Sequence, residues 1–344
     1  MPRIGTVPWE LFVELRNPMS AKTGYFVFSL DTELAYGYFD HDPRPQGLFS
    51  ADGTREREAI VRLLDIFDEF GINATIACVG HMFYERCEKC AVCPVLDWKG
   101  KHRSFEDVYE TSHPLWYGAD VIDTLLTRGA RHEIAFHGYT HESFWEMSEE
   151  RARTEILEWL RVAKRKNIVP RTVVFPRNRV GHLRLFEELG FLCYRGQEAV
   201  PDAGIPRFLG KIRRRLRQSQ FVFTPPVFDL PNVGPFGMVK LPSSANYFTG
   251  GGRLHRFADA VSFRLHMSGA IRGVRRAAKE GKIVQFSAHP HDFQTEKDWE
   301  KLRYLFSHVS AQVGQGTMQS VVMGDLARQA RSVEMNTGYP RRVV

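Results

Sequence analysis

Apolar and polar positions follow two rhythms along this chain. Short apolar runs at Tyr25 to Leu30, Asn73 to Val79, His132 to Phe136, Thr172 to Phe175, Phe191 to Tyr194 and Lys282 to Ser287 have the length of buried strands. Between them, apolar residues recur three and four apart. Thr54 opens one such segment, which puts Ile60, Leu63, Leu64 and Phe67 on one face and ends at Gly71, where a left-handed cap is expected. Further helices are predicted at Ala119 to Thr127, after Ser148 (with Ile156, Trp159, Leu160 and Ala163 on one face), at Leu183 to Leu189 and at Trp299 to Val313. Arg253 to Glu280 reads as one or two helices, and Ser320 to Met323 as a last strand. Gly80 to Tyr117 has no period and is expected to be an irregular insertion with a functional role. Phe221 to Pro242 is rich in proline and apolar residues.

Repeated strand-then-helix units predict an α/β fold, with parallel strands inside and helices outside. About seven such units suggest a closed or nearly closed barrel. No linker or internal repeat divides the chain, so residues 1–344 are read as a single domain with a core of about 24–330.

The polar residues that follow the strands change the picture from fold to chemistry. Asp31 and Glu33 close one apolar run, and His137 and His141 close another. Pro176 to Asn178 and His289 with His291 follow two more. In barrels and open α/β sheets the working site lies at the carboxyl ends of strands, so these segments are expected to converge. A carboxylate with two imidazoles is a three-ligand set that leaves a divalent metal an open position, and a second carboxylate beside it can serve as a base. That set predicts a metal-dependent hydrolase. The competing reading, of loop histidines satisfied by backbone hydrogen bonds, is disfavoured by two histidines four apart after a strand. His289 is weighed as a general acid against a structural histidine at a barrel end, and His291 is close enough to exchange roles with it.

Composition adds limits. The chain of 344 residues is 43% hydrophobic and 25% charged, so a folded protein is expected. A net charge of +7 allows contact with phosphates or anionic membranes without demanding it, and no nucleic-acid partner is expected. The basic run Lys211 to Arg217 is the candidate for peripheral membrane contact or a diphosphate-linked glycan, against a solvated helix face. No run of apolar residues is long enough to span a membrane, and the N-terminus has no secretory pattern. The expected location is cytoplasmic, with peripheral contact at the inner membrane face. The five cysteines favour free thiols over disulfides. Cys87, Cys90 and Cys93 form a C-x₂-C-x₂-C cluster that could close a second metal site with His102 or His113. Gly250 to Gly252 lacks the Lys-Ser/Thr of a phosphate loop and reads as a turn.

At these motifs the chain resembles the polysaccharide deacetylase (NodB-homology) family, carbohydrate esterase family four. Ser29-Leu30-Asp31-Thr32-Glu33 is similar to the family's acidic strand end, Ala74 to Gly80 to its second strand, and Arg131 to His141 to its histidine motif. The resemblance runs from about Tyr25 to Phe293. It implies a distorted (β/α)7 barrel and the roles that go with it: Asp31 as general base, Glu33, His137 and His141 as ligands of a divalent metal, Zn²⁺ above all, and His289 as general acid. The chain departs from the family pattern in having Thr32 between the acids and Glu rather than Asp as ligand. Val174-Phe175-Pro176-Arg177-Asn178 stands where Arg-Pro-Pro-Tyr-Gly is usual, so Arg177 or Arg179 is expected to replace the base-orienting arginine. No aspartate is placed as partner of His289.

Trp116, Tyr117, Trp145 and Tyr247, beside the motifs, are candidates to stack on a sugar, with Arg179 and His291 as polar contacts; packing competes for each aromatic. The expected function is a zinc-type N-deacetylase acting on an N-acetylated sugar in a polymeric, lipid-linked or nucleotide-linked glycan, within surface-polysaccharide biosynthesis. The alternatives are a degenerate metal- and glycan-binding protein, a hydrolase of another non-peptide C–N bond, and a non-haem iron oxygenase. The β/α rhythm disfavours the last.

Overall fold

The central strand is Gly24–Thr32 (β1), buried along all nine residues. In the computed structural model, which describes residues 23–41, 47–86, 90–94, 98, 113–128, 131–196, 224–234, 236–247 and 263–337, the chain continues through Thr54–Phe70 (α1), Ala74–Cys78 (β2), Ala119–Arg128 (α2), Glu133–Phe136 (β3), Glu149–Arg165 (α3), Thr172–Val173 (β4), Leu183–Glu188 (α4), Cys193–Gly196 (β5), Val239–Pro242 (β6) and Ala245–Asn246 (β7). It then forms Phe263–His266 (α5), Ser268–Glu280 (α6), Ile283–Ala288 (β8), Glu296–Gly314 (α7), Met318–Ser320 (β9) and Met323–Thr337 (α8). Lys211 to Arg217, Gly250 to Gly252, Cys87 and His102 lie outside the described residues.

All strand pairs are parallel, in the order β6-β5-β4-β3-β2-β1-β8-β7. β9 lies beside the first residues of β1, Gly24 to Phe26, below the stretch that β2 takes. The two ends of this order, β6 and β7, are joined by only Ser243 and Ser244, a connection that spans about 10 Å at most. The Ser243 amide donates to Gly196 O on β5 at 3.3 Å, and the Ser244 amide to Gln285 O on β8 at 2.9 Å. The sheet therefore curls round on itself, and chain continuity rather than a ladder closes its seam. This is an α/β barrel, as expected from the rhythm of the chain, with its sheet curled and its ends not paired by a ladder among the described residues.

β1 sorts its side chains by the period of two that a strand imposes. Phe26, Phe28 and Leu30 belong to the larger cluster under the helices. There Phe28 meets Phe67 of α1 edge-on at 5.8 Å and Phe306 of α7 at 5.2 Å. Tyr25 and Val27 point into the barrel and pack with Cys193, Leu241, Met323 and Leu326. α8 thus plugs the amino ends of the strands with its apolar face. The next inward positions, Ser29 and Asp31, are polar, and the apolar filling stops there.

Two of the differences from the sequence expectation have a visible physical cause. Met323 starts a helix instead of ending a strand, because its amide donates to Thr75 Oγ1 at 2.9 Å and the Gly324 amide to Glu133 Oε2 at 3.0 Å. These side chains satisfy helix N–H groups that have no partner within the helix. The strand read as Phe191 to Tyr194 lies two residues later, over Cys193–Gly196, where a polar residue inside the barrel hid its continuation. Among the described residues no helix is long and apolar enough to cross a membrane.

His132, at the start of β3, accepts the Ala74 amide on Nδ1 at 3.1 Å and meets the Phe67 ring at 5.3 Å. Burial, helped by the Arg131 charge, pushes its pKa down to about 4. As pH falls below about 6.5 the unfolded chain takes up this proton first, so stability is lost between about pH 6.5 and 4 and is complete above that window. Relative to His132→Asn, which keeps an acceptor but does not titrate, the protein should lose about 2–3 kcal/mol between pH 7 and 4, read by urea unfolding.

Candidate active site at the carboxyl ends of the strands

Asp31 ends the inward row of β1 and is buried with Glu33. Arg195 of β5, also buried, grips it with two parallel bonds, Nη1 to Oδ1 at 2.5 Å and Nη2 to Oδ2 at 2.6 Å. Nη1 also donates to Ser29 Oγ at 3.0 Å and Nη2 to Asn178 Oδ1 at 3.1 Å. Burial alone would raise the Asp31 pKa, but the Arg195 charge and hydrogen bonds, with His137 and His289 nearby, hold it below the usual value. The carboxylate is ionised, and its plane is fixed by the guanidinium fork.

Glu33 lies just past the strand. Its Oε2 is 3.1 Å from His137 Nε2 and 2.7 Å from His141 Nε2. One ligand atom from each of the three lies within 4.8 Å of the others. His137 Nδ1 is 2.8 Å from the carbonyl of Val174, which can only accept, so this nitrogen carries the proton. In the neutral ring Nε2 is then a lone pair facing a carboxylate oxygen, an arrangement that calls for a cation between them. His141 approaches Glu33 without hydrogen-bond geometry, and among the described residues neither of its ring nitrogens has a hydrogen-bond partner. Burial pushes its pKa down, towards the neutral imidazole that binds metal, although Glu33 opposes this. Glu33 is held well below the usual carboxylate range, burial opposing and His141 and His137 prevailing. Two imidazoles and one carboxylate, with one ring oriented through its second nitrogen by a carbonyl, fit a divalent ion of the zinc type.

His289 follows β8. Its Nε2 is 3.8 Å from Asp31 Oδ2 and 3.9 Å from Glu33 Oε1. Asp292 Oδ2 accepts from the His289 amide at 2.7 Å and lies 3.2 Å from Nδ1. Burial lowers the His289 pKa, but the Asp292 hydrogen bond and the charges of Glu33, Asp292 and Asp31 outweigh it and push it up to about 10. His291 stacks on His289 at 4.8 Å and packs against Tyr38 and Phe49. Asp292 is the carboxylate partner that sequence reading left unplaced. A 3-10 turn of Pro290–Asp292 brings it back onto the strand end, and the spacing of three residues was the available signal.

The histidine turn is held from behind by Glu155 of α3. Its Oε2 accepts the Tyr139 and Thr140 amides at 2.9 and 3.0 Å, and its Oε1 the Thr140 hydroxyl at 2.7 Å. Burial pushes its pKa up to about 7. Two backbone positions beside the ligands are left-handed without being glycine, Leu34 (φ 47°) and His141 itself (φ 68°). Such conformations persist only where the surroundings enforce them.

The remaining sequence candidates spread out. Arg177 pairs with Asp40 at 2.5 Å and makes no hydrogen bond to Asp31 among the described residues. The arginine that holds Asp31 is Arg195, one strand later, and not Arg177 or Arg179 as expected. Arg179 pairs with Glu146 at the rim of an open cleft of about 710 Å³, lined also by Trp145, Asn178, Tyr194 and Lys240. Trp145 is 74% exposed there. Trp116, Tyr117 and Tyr247 are buried. Trp116 meets Tyr36 edge-on at 5.1 Å and Tyr247 stacks on Phe293 at 6.3 Å, so these rings serve packing and offer no face to a sugar.

Residues 36–177 match the family model described as polysaccharide deacetylase. No curated protein matches the chain. Among solved structures, one described as a polysaccharide deacetylase from Mycobacterium smegmatis is similar at 18% identity, covering 93% of this chain and 94% of that one with a TM-score of 0.55. Another so described, from Pseudomonas aeruginosa PAO1, has 14% identity, 92% coverage of each chain and a TM-score of 0.50. A Puue allantoinase has 16% identity, 95% and 96% coverage and a TM-score of 0.50. At these identities the structural likeness carries the fold, that of a curled NodB-type half-barrel. The family resemblance seen at the motifs is borne out by the match. Members of that family are amide hydrolases acting on carbon–nitrogen bonds, and the match supports deacetylase activity on a carbohydrate.

Two substitutions probe the geometry. Arg195→Met leaves a buried carboxylate unpaired and should cost about 3–5 kcal/mol in denaturant unfolding; Arg195→Lys should not restore it, since a point charge cannot bond both oxygens. A Cβ on Gly37 would fall 2.0 Å from Glu33 Oε1. Gly37→Ala should therefore push Glu33 aside and weaken the binding of added divalent metal by about 10- to 100-fold, read by competition with a chromophoric chelator.

Proposed function

From the match of residues 36–177 to the polysaccharide deacetylase family model, we propose that the chain is a metal-dependent N-deacetylase. It removes the acetyl group from an N-acetylated sugar in a glycan or glycan precursor. The observation that carries this reading is the meeting of Asp31, Glu33, His137, His141 and His289 at one end of the barrel, within 3.9 Å from neighbour to neighbour. Zn²⁺ held by Glu33, His137 and His141 would supply Lewis-acid polarisation of the acetyl carbonyl and acidify a water.

The chain's own residues supply proton transfers and orientation. Asp31 is the general base. Arg195 keeps it ionised and holds both its oxygens, leaving Oδ2 turned towards His137 and His289. A carboxylate held below its usual pKa is a weak base, which suits a water already acidified. His289 is the general acid. Asp292 fixes the proton on its Nδ1, so Nε2 faces the acid pair and carries the proton for the departing amine. A cation on Glu33 would remove part of the negative charge that raises the His289 pKa and bring it nearer the working range.

The sugar chain is assigned to the cleft beside Asn178, which links it to the site by accepting from Arg195. Trp145 offers the exposed ring there, with Arg179 at the rim. A surface-polysaccharide precursor, met in the cytoplasm or at its membrane face, is the setting we carry forward. The degenerate-binder alternative drew on a missing arginine, and Arg195 removes that ground.

Acetate release from a panel of N-acetylated oligosaccharides, with a cyclic amide included, tests the reading. Asp31→Asn should keep the metal and lose turnover by about 10²- to 10⁴-fold, while His137→Ala should lose both. Full activity in Asp31→Asn would refute the base assignment. Ring opening of the cyclic amide without acetate release would replace the substrate class.

A further inference from the structure

Behind the histidine turn lies a second group of metal-competent side chains, separate from the acid–histidine set. His81 sits in the 3-10 turn Gly80–Phe83 that follows β2 and is fully buried. Ligand atoms of His81, Cys90 and Cys93 lie within 4.8 Å of one another. Cys93 is buried and Cys90 half-buried, and neither forms a disulfide. The cysteines have the Cys-x₂-Cys spacing of zinc sites. The sequence suggested His102 or His113 as their companion. Among the described residues, which exclude His102, the cluster does not include His113, and the fold brings His81 to the two thiols.

Hydrogen bonding sets the tautomer of His81. The Tyr36 hydroxyl has one proton and two polar contacts, the Trp116 carbonyl at 3.0 Å and His81 Nδ1 at 2.7 Å. The carbonyl can only accept, so it takes the hydroxyl proton. His81 Nδ1 must then donate, and Nε2 is left as a lone pair. A histidine whose one nitrogen donates to an oxygen and whose other presents a lone pair beside two thiols has the arrangement usual for a metal ligand. Tetrahedral zinc with Zn–S of about 2.3 Å needs its sulfurs about 3.8 Å apart, so the group need close by only about 1 Å.

We propose that His81, Cys90 and Cys93 form a second, structural metal site of the zinc class, which clamps the Cys90–Cys93 stretch to the back of the His137–His141 turn. Each thiol gives up its proton on binding, and the ion is neither oxidised nor reduced. The backbone connects the two sites directly. The Gly80 amide donates to Gly138 O at 2.9 Å and the His81 amide to Tyr139 O at 3.0 Å. The His81 ring also meets the Tyr139 ring edge-on at 5.6 Å. Soft thiolates select zinc or cobalt over the hard cations that oxygen ligands prefer.

Cobalt distinguishes the two sites, because only a sulfur site gives intense thiolate-to-metal charge-transfer absorption in the near ultraviolet. The full chain, purified under reductant, stripped with chelator and reloaded with Co²⁺, should show that band. His137→Ala should keep it, and Cys90→Ser/Cys93→Ser should lose it together with one ion per chain by elemental analysis. Should the serine variant not fold, alkylation of the wild type followed by peptide mass spectrometry is the second readout: Cys90 and Cys93 should be protected when zinc is bound and react after chelation. A cobalt-loaded protein without the band, a band that survives in Cys90→Ser/Cys93→Ser, or alkylation indifferent to zinc would overturn the proposal.

Discussion

Two carboxylates two residues apart, both buried, end the central strand, and the carboxyl end of the barrel is arranged around neutralising them. A buried anion without a partner is too costly to keep. Asp31 is answered by Arg195 with two bonds, and Glu33 by His137 and His141. The two solutions differ in kind. A guanidinium is a permanent cation and settles Asp31 outright. Neutral imidazoles bring lone pairs rather than charge, so Glu33 is settled only when a proton or a metal joins the group. One side of the site is thereby rigid and the other receptive.

That asymmetry is seated in a barrel whose inside is divided lengthwise. At the amino ends of the strands Tyr25, Val27, Cys193 and Val239 pack against α8 as an ordinary core. At the carboxyl ends the same inward rows turn polar, with Ser29 and Asp31 on β1 and Arg195 on β5. The lower half gives the walls their spacing and the upper half uses it. Glu155 then fixes the histidine turn from outside the barrel, so the ligands are constrained on both sides.

Much of this was legible in the sequence, and the rest was hidden for definite reasons. Apolar runs ending in Asp31/Glu33, His137/His141 and His289 could be read because the strands are buried on both faces and their metal-competent side chains come at or just past the carboxyl ends. Arg195 escaped because it is a charge inside a strand; the apolar run stops at Tyr194, and the strand runs on to Gly196. Asp292 escaped because its partnership with His289 rests on a short 3-10 turn that leaves no periodic trace. Trp116, Tyr117 and Tyr247 drew attention by lying next to the motifs, yet neighbours in sequence do not share a surface, and these rings are interior. Trp145, four residues past His141, is the one of these aromatics that stays exposed.

The alternation along β1 has a further consequence. Phe26, Phe28 and Leu30 belong to the outer core while Tyr25, Val27, Ser29 and Asp31 face the lumen. A slip of one residue in the pairing of β1 with β2 or β8 would exchange the two sets. Phenylalanines would crowd the lumen and the acid would lie bare against the helices, with no cation in reach. Such a misthreaded chain forfeits its core and its chemistry in the same stroke, so quality control over folding is also quality control over the site.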